Sequence, residues 1–395
     1  MVAVQEIISQ IEEGEEEKKP VYRSSDLERA KFMTRAIMPK LLSPLLQRMP
    51  FIDERSRDML TMRKCLLDNS TTYALALQAV VDDTPELGYD LVIAHQGFKL
   101  LDFGEENKEF LRNERKEFMN HCLDTLSNPS SQKIKDLEQR VEPLMQHPQF
   151  DSEFTSLLRN MRPFIRAFHT RPLEVREIFL KYANRMAAGF ANPEVQKIND
   201  LTDVHRYCLI AAGFVGWCIT ENLAIRGYVS RDMEAQLMPH AITMGKAVQL
   251  GNNLRDFFKD YESGMWRWPK LNMEAIARAR TPEDITHVYE NEFREIVNYT
   301  KKHFHEATSY FDQLPSAAPY GPKVFTGLGL AAYAAVVGRV STREFLETRG
   351  HYKKLRKHDA LDIKDAVQHY ARHGESIEPL IGHLLNNKPI AALFE

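Results

Sequence analysis

Cysteine is scarce in this chain, and no two cysteines are close together. The four that occur form no C-x-x-C pair, and they are Cys65, Cys122, Cys208 and Cys218. This spacing argues against a disulfide framework and against a cysteine-ligated zinc site. A reducing compartment is expected, and we predict a cytoplasmic protein.

Excess charge and long apolar runs are also missing. The formal net charge is -3 and the pI is about 6.6, so nothing in the overall charge points to nucleic acid as a partner. The N-terminus is acidic over Glu12–Glu17, unlike a secretory signal peptide. The longest weakly charged apolar stretch, Val324–Val337, has 14 residues and is too short to cross a bilayer. We therefore expect neither a nucleic-acid partner nor an integral membrane segment.

Strand-like alternation and Asn-Gly hairpins are absent, and helical periodicity runs through almost the whole chain. With 395 residues and 43% hydrophobic content, the chain can bury a large core. The breaks between helices are too short to be interdomain linkers. The sequence predicts an all-α protein with a flexible acidic arm over residues 1–22 and a single domain over residues 23–395. The residues make no prediction of oligomeric state.

An acidic pattern near the middle of the chain, the 252–260 stripe, has the geometry of one helix face. Asn252, Asp256 and Asp260 follow one another at i, i+4 and i+8. Oxygen donors without cysteine or histidine suit Mg²⁺ or Mn²⁺. Arg255 and Lys259 lie between them and could pair with phosphate oxygens. The stripe therefore predicts a site for a metal-bound phosphate group.

A second acidic pattern, the 82–86 cluster, follows the uncharged helical run Tyr73–Val81. Asp82 and Glu86 are one turn apart, and Asp83 lies three residues before Glu86. An acidic helix C-terminus is the simpler interpretation, because Pro85 would end or kink the helix. Carboxylates at that end meet the negative pole of the helix dipole, however, which is unfavourable unless a cation compensates.

Together the two patterns predict a divalent-metal site. A solvated helix face is the alternative for the stripe, but the preceding residues Met244–Leu254 are mostly apolar or small, which favours a buried face. Two such faces pointed at each other would hold a diphosphate through Mg²⁺, with three ions expected and Mn²⁺ able to substitute. The predicted metal ligands are Asp82, Asp83, Glu86, Asn252, Asp256 and Asp260. This is equipment for ionising an allylic diphosphate.

Several stretches resemble the squalene/phytoene synthase family. Met244–Asp256, with Asp260 and Trp268-Pro269, is similar to that family's second aspartate-rich region. Tyr207-Cys208 and the following Ala211–Gly216 resemble its Y-C-x-x-x-A-G-x-V-G helix. The 82–86 cluster stands where the family has its first D-x-x-x-D motif, and the similarity runs from about residue 60 to 355. The resemblance implies the class I isoprenoid-synthase fold, an all-α bundle with a central cavity.

The resemblance also implies roles for individual residues. The catalytic candidates are Asp82, Arg255 and Asp256. The diphosphate-binding candidates are Arg63, Lys64, Arg255 and Lys259. The cavity-lining candidates are Tyr73, Tyr207, Gly213, Phe214, Trp217, Gln249, Phe257 and Phe258. The faces of the aromatic residues among them could stabilise a carbocation. Plain core packing is the alternative for the aromatic residues, and close helix–helix contact is the alternative for Gly213 and Gly216.

Departures from the family pattern decide the predicted reaction. Glu86 gives a D-D-x-x-E motif of the type seen in class I terpene cyclases. Val175 stands where squalene synthases have a catalytic tyrosine, with Tyr182 two turns later on the same helix. Met265 stands where their loop has an arginine, and Arg267 comes two residues later. The early Ser-Arg-Ser-Phe motif has no clear counterpart.

The predicted function is therefore cyclisation of a prenyl diphosphate, most simply farnesyl diphosphate, with release of diphosphate. This would resemble the squalene-synthase-like fungal sesquiterpene cyclases of the humulene-synthase type. The alternative is head-to-head joining of two prenyl diphosphates, as in squalene or phytoene synthase. A non-catalytic protein that kept the fold is the third possibility. The residues predict neither the substrate's chain length nor the product skeleton.

Overall fold

We describe the protein from a computed structural model that covers residues 23–25, 27–35, 52–69, 71–106, 115–146, 154–315, 320–352 and 355–394. The predicted arm over residues 1–22 lies outside these described residues. Within them every regular element is helical, so the prediction of an all-α fold is confirmed.

The described N-terminal part consists of helices, and only some of them reach the central cavity. The helices are α1 (27–35), α2 (Glu54–Asn69), α3 (Thr71–Asp83), α4 (Pro85–Glu106), α5 (Arg115–Ser127), α6 (Ser131–Met145), α7 (Thr155–Leu158), α8 (Met161–His169) and α9 (Leu173–Ala191). Pro85 starts α4, since the first helical position needs no backbone N–H. A new helix therefore begins inside the 82–86 cluster, directly after α3 ends at Asp83.

The C-terminal part supplies the rest of the bundle. Its helices are α10 (Leu201–Cys208), α11 (Phe214–Ile225), α12 (Arg231–Arg255), α13 (Phe257–Glu262), α14 (Lys270–Arg278), α15 (Pro282–Val288), α16 (Arg294–Gln313), α17 (Tyr320–Val340), α18 (Arg343–Glu347), α19 (Lys357–His373) and α20 (Glu378–Leu385). The π-helical turns Leu209–Gly213 and Tyr289–Phe293 join α10 to α11 and α15 to α16. Ser230 caps α12 by accepting a hydrogen bond from the Met233 N–H.

Helix α12 lies at the centre of the bundle and packs against α11, α16 and α17. Its contact with the α10–α11 segment is made backbone to backbone. A Cβ on Gly216 would lie 2.3 Å from the Ala241 carbonyl oxygen, and a Cβ on Gly245 would lie 2.3 Å from the Ala212 carbonyl oxygen. Close helix packing therefore requires glycine at these two positions.

Two stretches have the length and composition of a membrane-crossing helix. They are Leu201–Ile225 and Tyr320–Val340, found among the described residues. The second contains Val324–Val337, a stretch that the sequence analysis expected to be too short to cross a bilayer. The helix is longer than that stretch, because it starts four residues earlier and ends three residues later. Most of this helix is buried in the protein core. Core helices meet the same criteria, so the two stretches are weak evidence for a membrane.

Candidate active site

A cavity of about 1220 Å³ lies between the two halves of the bundle. Its walls come from α2, α4, α10 to α13, α16, α17 and the segments around Met265 and Arg349. The α12 wall changes character along the helix axis. It begins with Ala241 and Met244, continues through Val248, and ends with Asn252 and Asp256. From Ala241 to Asp256, roughly 22 Å along the helix, an apolar surface becomes a surface of oxygen donors.

The structure places the whole 252–260 stripe on this cavity. The backbone changes direction slightly at Asp256, between α12 and α13. The helical ladder nevertheless continues, because Asp256 N–H donates to the Asn252 carbonyl at 2.9 Å and Asp260 N–H donates to the Asp256 carbonyl at 2.8 Å. Asn252, Asp256 and Asp260 therefore keep the one-face spacing that the sequence predicted.

Arginine and lysine side chains accompany the stripe as expected. Arg255 and Lys259 both line the cavity. Arg255 Nε donates to Asp256 Oδ1 at 2.8 Å, and a second, shorter bond joins the same two side chains. Burial alone would lower the pKa of Arg255, but the hydrogen bonds and charge of Asp256 outweigh it and raise that pKa. Arg255 is therefore a permanent positive charge at the polar end of the cavity.

The donor set of the stripe fits Mg²⁺. Among the described residues, no three His, Cys, Asp or Glu side chains lie together as a preformed metal site. Mg²⁺, however, is commonly held by one or two carboxylates, with substrate phosphates and water completing its shell. The stripe offers two carboxylates and the amide of Asn252. The Asn252 Oδ1 atom is buried and accepts no hydrogen bond from the described residues, as expected of an oxygen that would meet a cation.

The α4 wall was not predicted from the sequence. His95, Phe98, Lys99, Asp102 and Glu105 line the cavity at one-face helical spacing. Burial, with a smaller contribution from the charge of Lys99, lowers the pKa of His95 to about 3 and keeps its imidazole neutral. The pair Asp102 and Glu105, about one turn apart near the end of α4, would have been the sequence signal for this wall.

A buried ion pair connects α4 to the segment after α13. Arg267 Nη2 donates to Glu105 Oε2 at 2.7 Å, and both side chains are almost fully buried. The guanidinium also lies 4.4 Å from the ring centroid of Tyr207. Arg267, which stands two residues after the position expected for the family's arginine, thus fixes this wall from inside the protein.

The 82–86 cluster does not lie on this cavity, so the prediction that it faces the stripe is wrong. Asp83 accepts a hydrogen bond from the Gly321 N–H at 2.7 Å, at the start of α17. Residue Tyr333, which does line the cavity, lies twelve residues further along the same helix, roughly 18 Å away.

Arginines and helix N-termini compensate the cluster, so it needs no metal to explain it. Glu86 lies in the first turn of α4, where the helix dipole favours negative charge. It pairs with Arg171 at 3.1 Å and with Arg55 at 3.3 Å. Asp82 accepts a hydrogen bond from Gln78 at 2.6 Å. The sequence analysis expected these carboxylates to meet the negative pole of a helix dipole and therefore to need a cation. That expectation failed, because α4 begins where α3 ends and its N-terminus favours negative charge.

The remaining candidates divide between the cavity and other surroundings. Tyr207 and Gln249 line the cavity, as does Phe258. Those placed elsewhere are Arg63 and Lys64, which bond to Gln78 and Asp68, and Gly213, Phe214, Trp217 and Phe257, which pack in the helical bundle. The Tyr73 side chain lies outside the described part of the structure. Other rings on the cavity come from Phe98, Tyr310, Tyr333 and Tyr352.

Helix α9 contributes nothing to the described cavity wall. Val175 is buried and lines a separate small void in another part of the core, together with Asp90, Phe168 and Phe179. The Tyr182 hydroxyl donates a hydrogen bond to Glu221. Neither of these two positions on α9 therefore presents a tyrosine hydroxyl to the cavity in this arrangement.

The helical bundle, its central cavity and the acidic helix end define a class I isoprenoid-synthase fold. A sequence model of the squalene/phytoene synthase family matches residues 120–359, more than half of the chain. The chain belongs to the squalene/phytoene synthase family. This match begins after α4, so the α4 wall lies outside it.

Individual relatives agree with this assignment. Mouse squalene synthase is 25% identical over 201 residues, covering 45% of this chain and 46% of the relative. Squalene synthase ERG9 of Candida albicans is 25% identical over 117 residues, covering 27% of this chain and 26% of the relative. The matched region thus spans less than half the length of either curated relative.

Solved structures share the fold. The TcSQS complex with E5700 superimposes with a TM-score of 0.63 at 17% identity, covering 85% of this chain and 98% of that one. The TcSQS complex with BPH1237 gives a TM-score of 0.59 at 16% identity with the same coverage. The predicted family and fold are therefore confirmed. Of the two enzymatic reactions weighed from the sequence, these relatives favour the transferase over the cyclase.

Proposed function

We propose that this protein is a divalent-metal-dependent enzyme that ionises one prenyl diphosphate and joins its allylic fragment to a second prenyl diphosphate. The observation that carries the proposal is the change along α12, from the apolar surface at Ala241 and Met244 to the oxygen donors Asn252 and Asp256 in one cavity. A prenyl diphosphate has the same two ends, a hydrocarbon chain and a polyanion.

The polar end would hold the diphosphate. Asn252, Asp256 and Asp260 would bind Mg²⁺, or Mn²⁺ in its place, which when bound supplies positive charge to the leaving group. Lys259 and Arg255 lie on the same wall and would contact phosphate oxygens directly. These side chains orient the diphosphate so that the carbon–oxygen bond breaks with its electron pair leaving on oxygen.

The apolar end would hold the hydrocarbon. Val215, Ile219, Met244 and Val248 exclude water from the allylic cation, and the ring of Phe98 offers it an electron-rich face. The cavity of about 1220 Å³ exceeds the roughly 300–1,000 Å³ of ordinary small-molecule pockets. That volume supports a site that holds two prenyl chains. Membership of the squalene/phytoene synthase family supports the same proposal.

Cyclisation of one prenyl diphosphate is the second candidate. It is favoured by α9, whose Val175 and Tyr182 both lie away from the described cavity wall. A condensation reaction that depends on a tyrosine of that helix would have no hydroxyl here. Another cavity tyrosine, such as Tyr207 or Tyr310, would have to take over its role.

Product analysis separates the two reactions. Purified protein is incubated with Mg²⁺ and farnesyl diphosphate, or geranylgeranyl diphosphate, with and without NADPH, and the extract is analysed by mass spectrometry. We expect thirty- or forty-carbon products that contain two prenyl units. Fifteen- or twenty-carbon hydrocarbons formed regardless of NADPH would instead establish cyclisation. Failure to release diphosphate from either substrate would contradict both reactions.

A further inference from the structure

Helix α17 contains a glycine that its packing does not explain. A glycine inside a helix is destabilising relative to alanine, because its backbone loses more conformational freedom on folding. Gly329 lies in the middle of α17. Apart from its chain neighbours and the backbone of its own helix, the only described atom within 4 Å of a Cβ at this position would be Cε of Met244, at 3.9 Å. That distance is an ordinary van der Waals contact, so an alanine would fit.

Other glycines of α17 do have a packing reason. A Cβ on Gly327 would lie 2.6 Å from Cγ1 of Val367, and a Cβ on Gly338 would lie 2.1 Å from the Leu384 carbonyl oxygen. Both distances are too short for real atoms, so α19 and α20 can approach α17 this closely only where it carries glycine. Gly329 permits no such approach. The cost of a glycine at position 329 is therefore not offset by closer helix packing.

The open space at Gly329 faces the cavity. Thr326 and Tyr333 line the cavity from α17. Gly329 lies three residues after the first and four residues before the second, so it falls on the same helix face. Met244, the neighbour of the missing side chain, lines the cavity from α12. Gly329 is also partly exposed although most of α17 is buried, which fits a position on the cavity wall.

This part of the cavity belongs to its hydrocarbon end. Met244 precedes Asn252 by eight residues, roughly 12 Å along α12. A diphosphate bound at the 252–260 stripe would therefore leave its prenyl chain, and not its phosphates, to pass Gly329. A side chain added at Gly329 would occupy volume that the prenyl chain otherwise fills.

We propose that Gly329 is a specificity-determining residue, which keeps this part of the cavity open for the isoprene units of the substrate that lie far from the diphosphate. This inference rests on the proposed function. A side chain at position 329 leaves the diphosphate site intact and narrows the space beyond it. Longer prenyl diphosphates then lose more affinity than shorter ones, because more of their chain has to pass the added side chain.

Binding without turnover tests this role. The probes are inorganic pyrophosphate and the thiolodiphosphates of farnesol and geranylgeraniol, whose carbon–sulfur bond resists ionisation. Their affinities are measured by isothermal titration calorimetry in Mg²⁺ for the wild type and Gly329→Leu. Gly329→Leu should leave pyrophosphate binding unchanged and weaken the geranylgeranyl analogue about 10- to 200-fold, the range by which single methylene groups change recognition in a hydrophobic pocket. The farnesyl analogue should lose less affinity.

A second glycine provides the matched control. Gly382 lies in α20, outside the cavity wall that the described residues form, and a Cβ there would lie 3.5 Å from Cε1 of His305, also an ordinary distance. Gly382→Leu should leave all three affinities unchanged. Gly329→Ala should weaken the analogues in the same order as Gly329→Leu, by a smaller factor. Gly329→Ala and Gly382→Ala should each raise the melting temperature by about 1–2 °C, because each removes a glycine from a helix interior.

The outcomes separate this inference from the proposed function. If the wild type and both Gly329 variants bind the two analogues equally well, or if Gly329→Ala lowers the melting temperature, the role of Gly329 is overturned and the proposed function stands. If the analogues bind the wild type no more tightly than pyrophosphate does, both are overturned. If Gly329→Leu weakens the analogues as expected but the wild type releases no diphosphate from either prenyl diphosphate, the role of Gly329 in binding stands and the proposed function fails.

Discussion

The 82–86 cluster and the 252–260 stripe are similar as sequences and opposite as structures. Each follows an uncharged or weakly charged helical run and carries carboxylates one turn apart. In the folded protein the cluster lies where α3 gives way to α4, whereas the stripe continues from α12 into α13 along the cavity. Spacing alone therefore did not distinguish a structural group of acids from a candidate metal site.

What distinguishes them is the identity of the compensating partner. The cluster is balanced by Arg171, by Arg55 and by the N–H of Gly321. In the stripe, Asp256 is paired with Arg255, but the buried Asn252 oxygen accepts no hydrogen bond from the described residues. A polar group that the protein leaves unsatisfied in a cavity is a better indication of a ligand than the number of carboxylates.

The largest effect that would test this contrast is on stability, at Arg171. Its guanidinium side chain is 1% exposed and contacts Glu86 and the fully buried Asp90. Arg171→Met leaves buried negative charge with less compensation, so the free energy of unfolding should fall by about 3–5 kcal/mol. Urea denaturation followed by circular dichroism measures it.

Arg55→Met is the matched control, because Arg55 contacts the same Glu86 with a side chain that is 52% exposed. Its loss should cost about 0–1 kcal/mol. Equal losses of unfolding free energy in the two variants would show that burial of the arginine does not determine its contribution. They would also show that the cluster is not held by Arg171.

The next effect is on turnover, at the stripe. Asp256→Asn and Asp260→Asn keep the size of the side chain but remove a charged oxygen ligand. Diphosphate release should slow by about 10²- to 10³-fold, a loss typical of removing one group that stabilises a developing charge. The rate is measured by a coupled pyrophosphate assay over a range of Mg²⁺ concentrations. Near-wild-type rates in both variants would show that the stripe is not part of the active site.

The sequence predicted the fold and the stripe because both depend on local periodicity. Helical spacing brings Asn252, Asp256 and Asp260 together without any information on distant residues. Adjacent aromatic residues show where this reasoning stops. Phe258 lines the cavity, whereas Phe257 is fully buried in the core. A rotation of about 100° per residue separates the two rings on the helix, so the sequence alone does not show which of them faces the cavity.

The α4 wall escaped prediction because its partners are distant in the chain. Lys99 between His95 and Asp102 has the mixed charge of an ordinary solvated helix face. The pairing of Glu105 with Arg267 joins residues 162 positions apart, and one sequence does not reveal such a contact. The 82–86 cluster misled for the same reason, since Arg171 is 85 positions away from Glu86.

The smallest expected effect belongs to the cluster itself, and it is the sharpest test of the contrast. Asp82→Asn and Glu86→Gln each remove a charge that lies outside the cavity, and the Glu86 side chain is 53% exposed. We expect either substitution to change the free energy of unfolding by about 0–1 kcal/mol, because the Glu86 carboxylate is solvated and Arg171 keeps its contact with Asp90. Diphosphate release should stay within about twofold of wild type, because neither carboxylate lies on the cavity. A twofold change in rate corresponds to less than 1 kcal/mol in the activation free energy. The same coupled assay measures both variants beside Asp256→Asn. If Asp82→Asn slowed the reaction as much as Asp256→Asn while its unfolding curve stayed unchanged, the cluster would belong to the active site, and the distinction by compensating partners would fail.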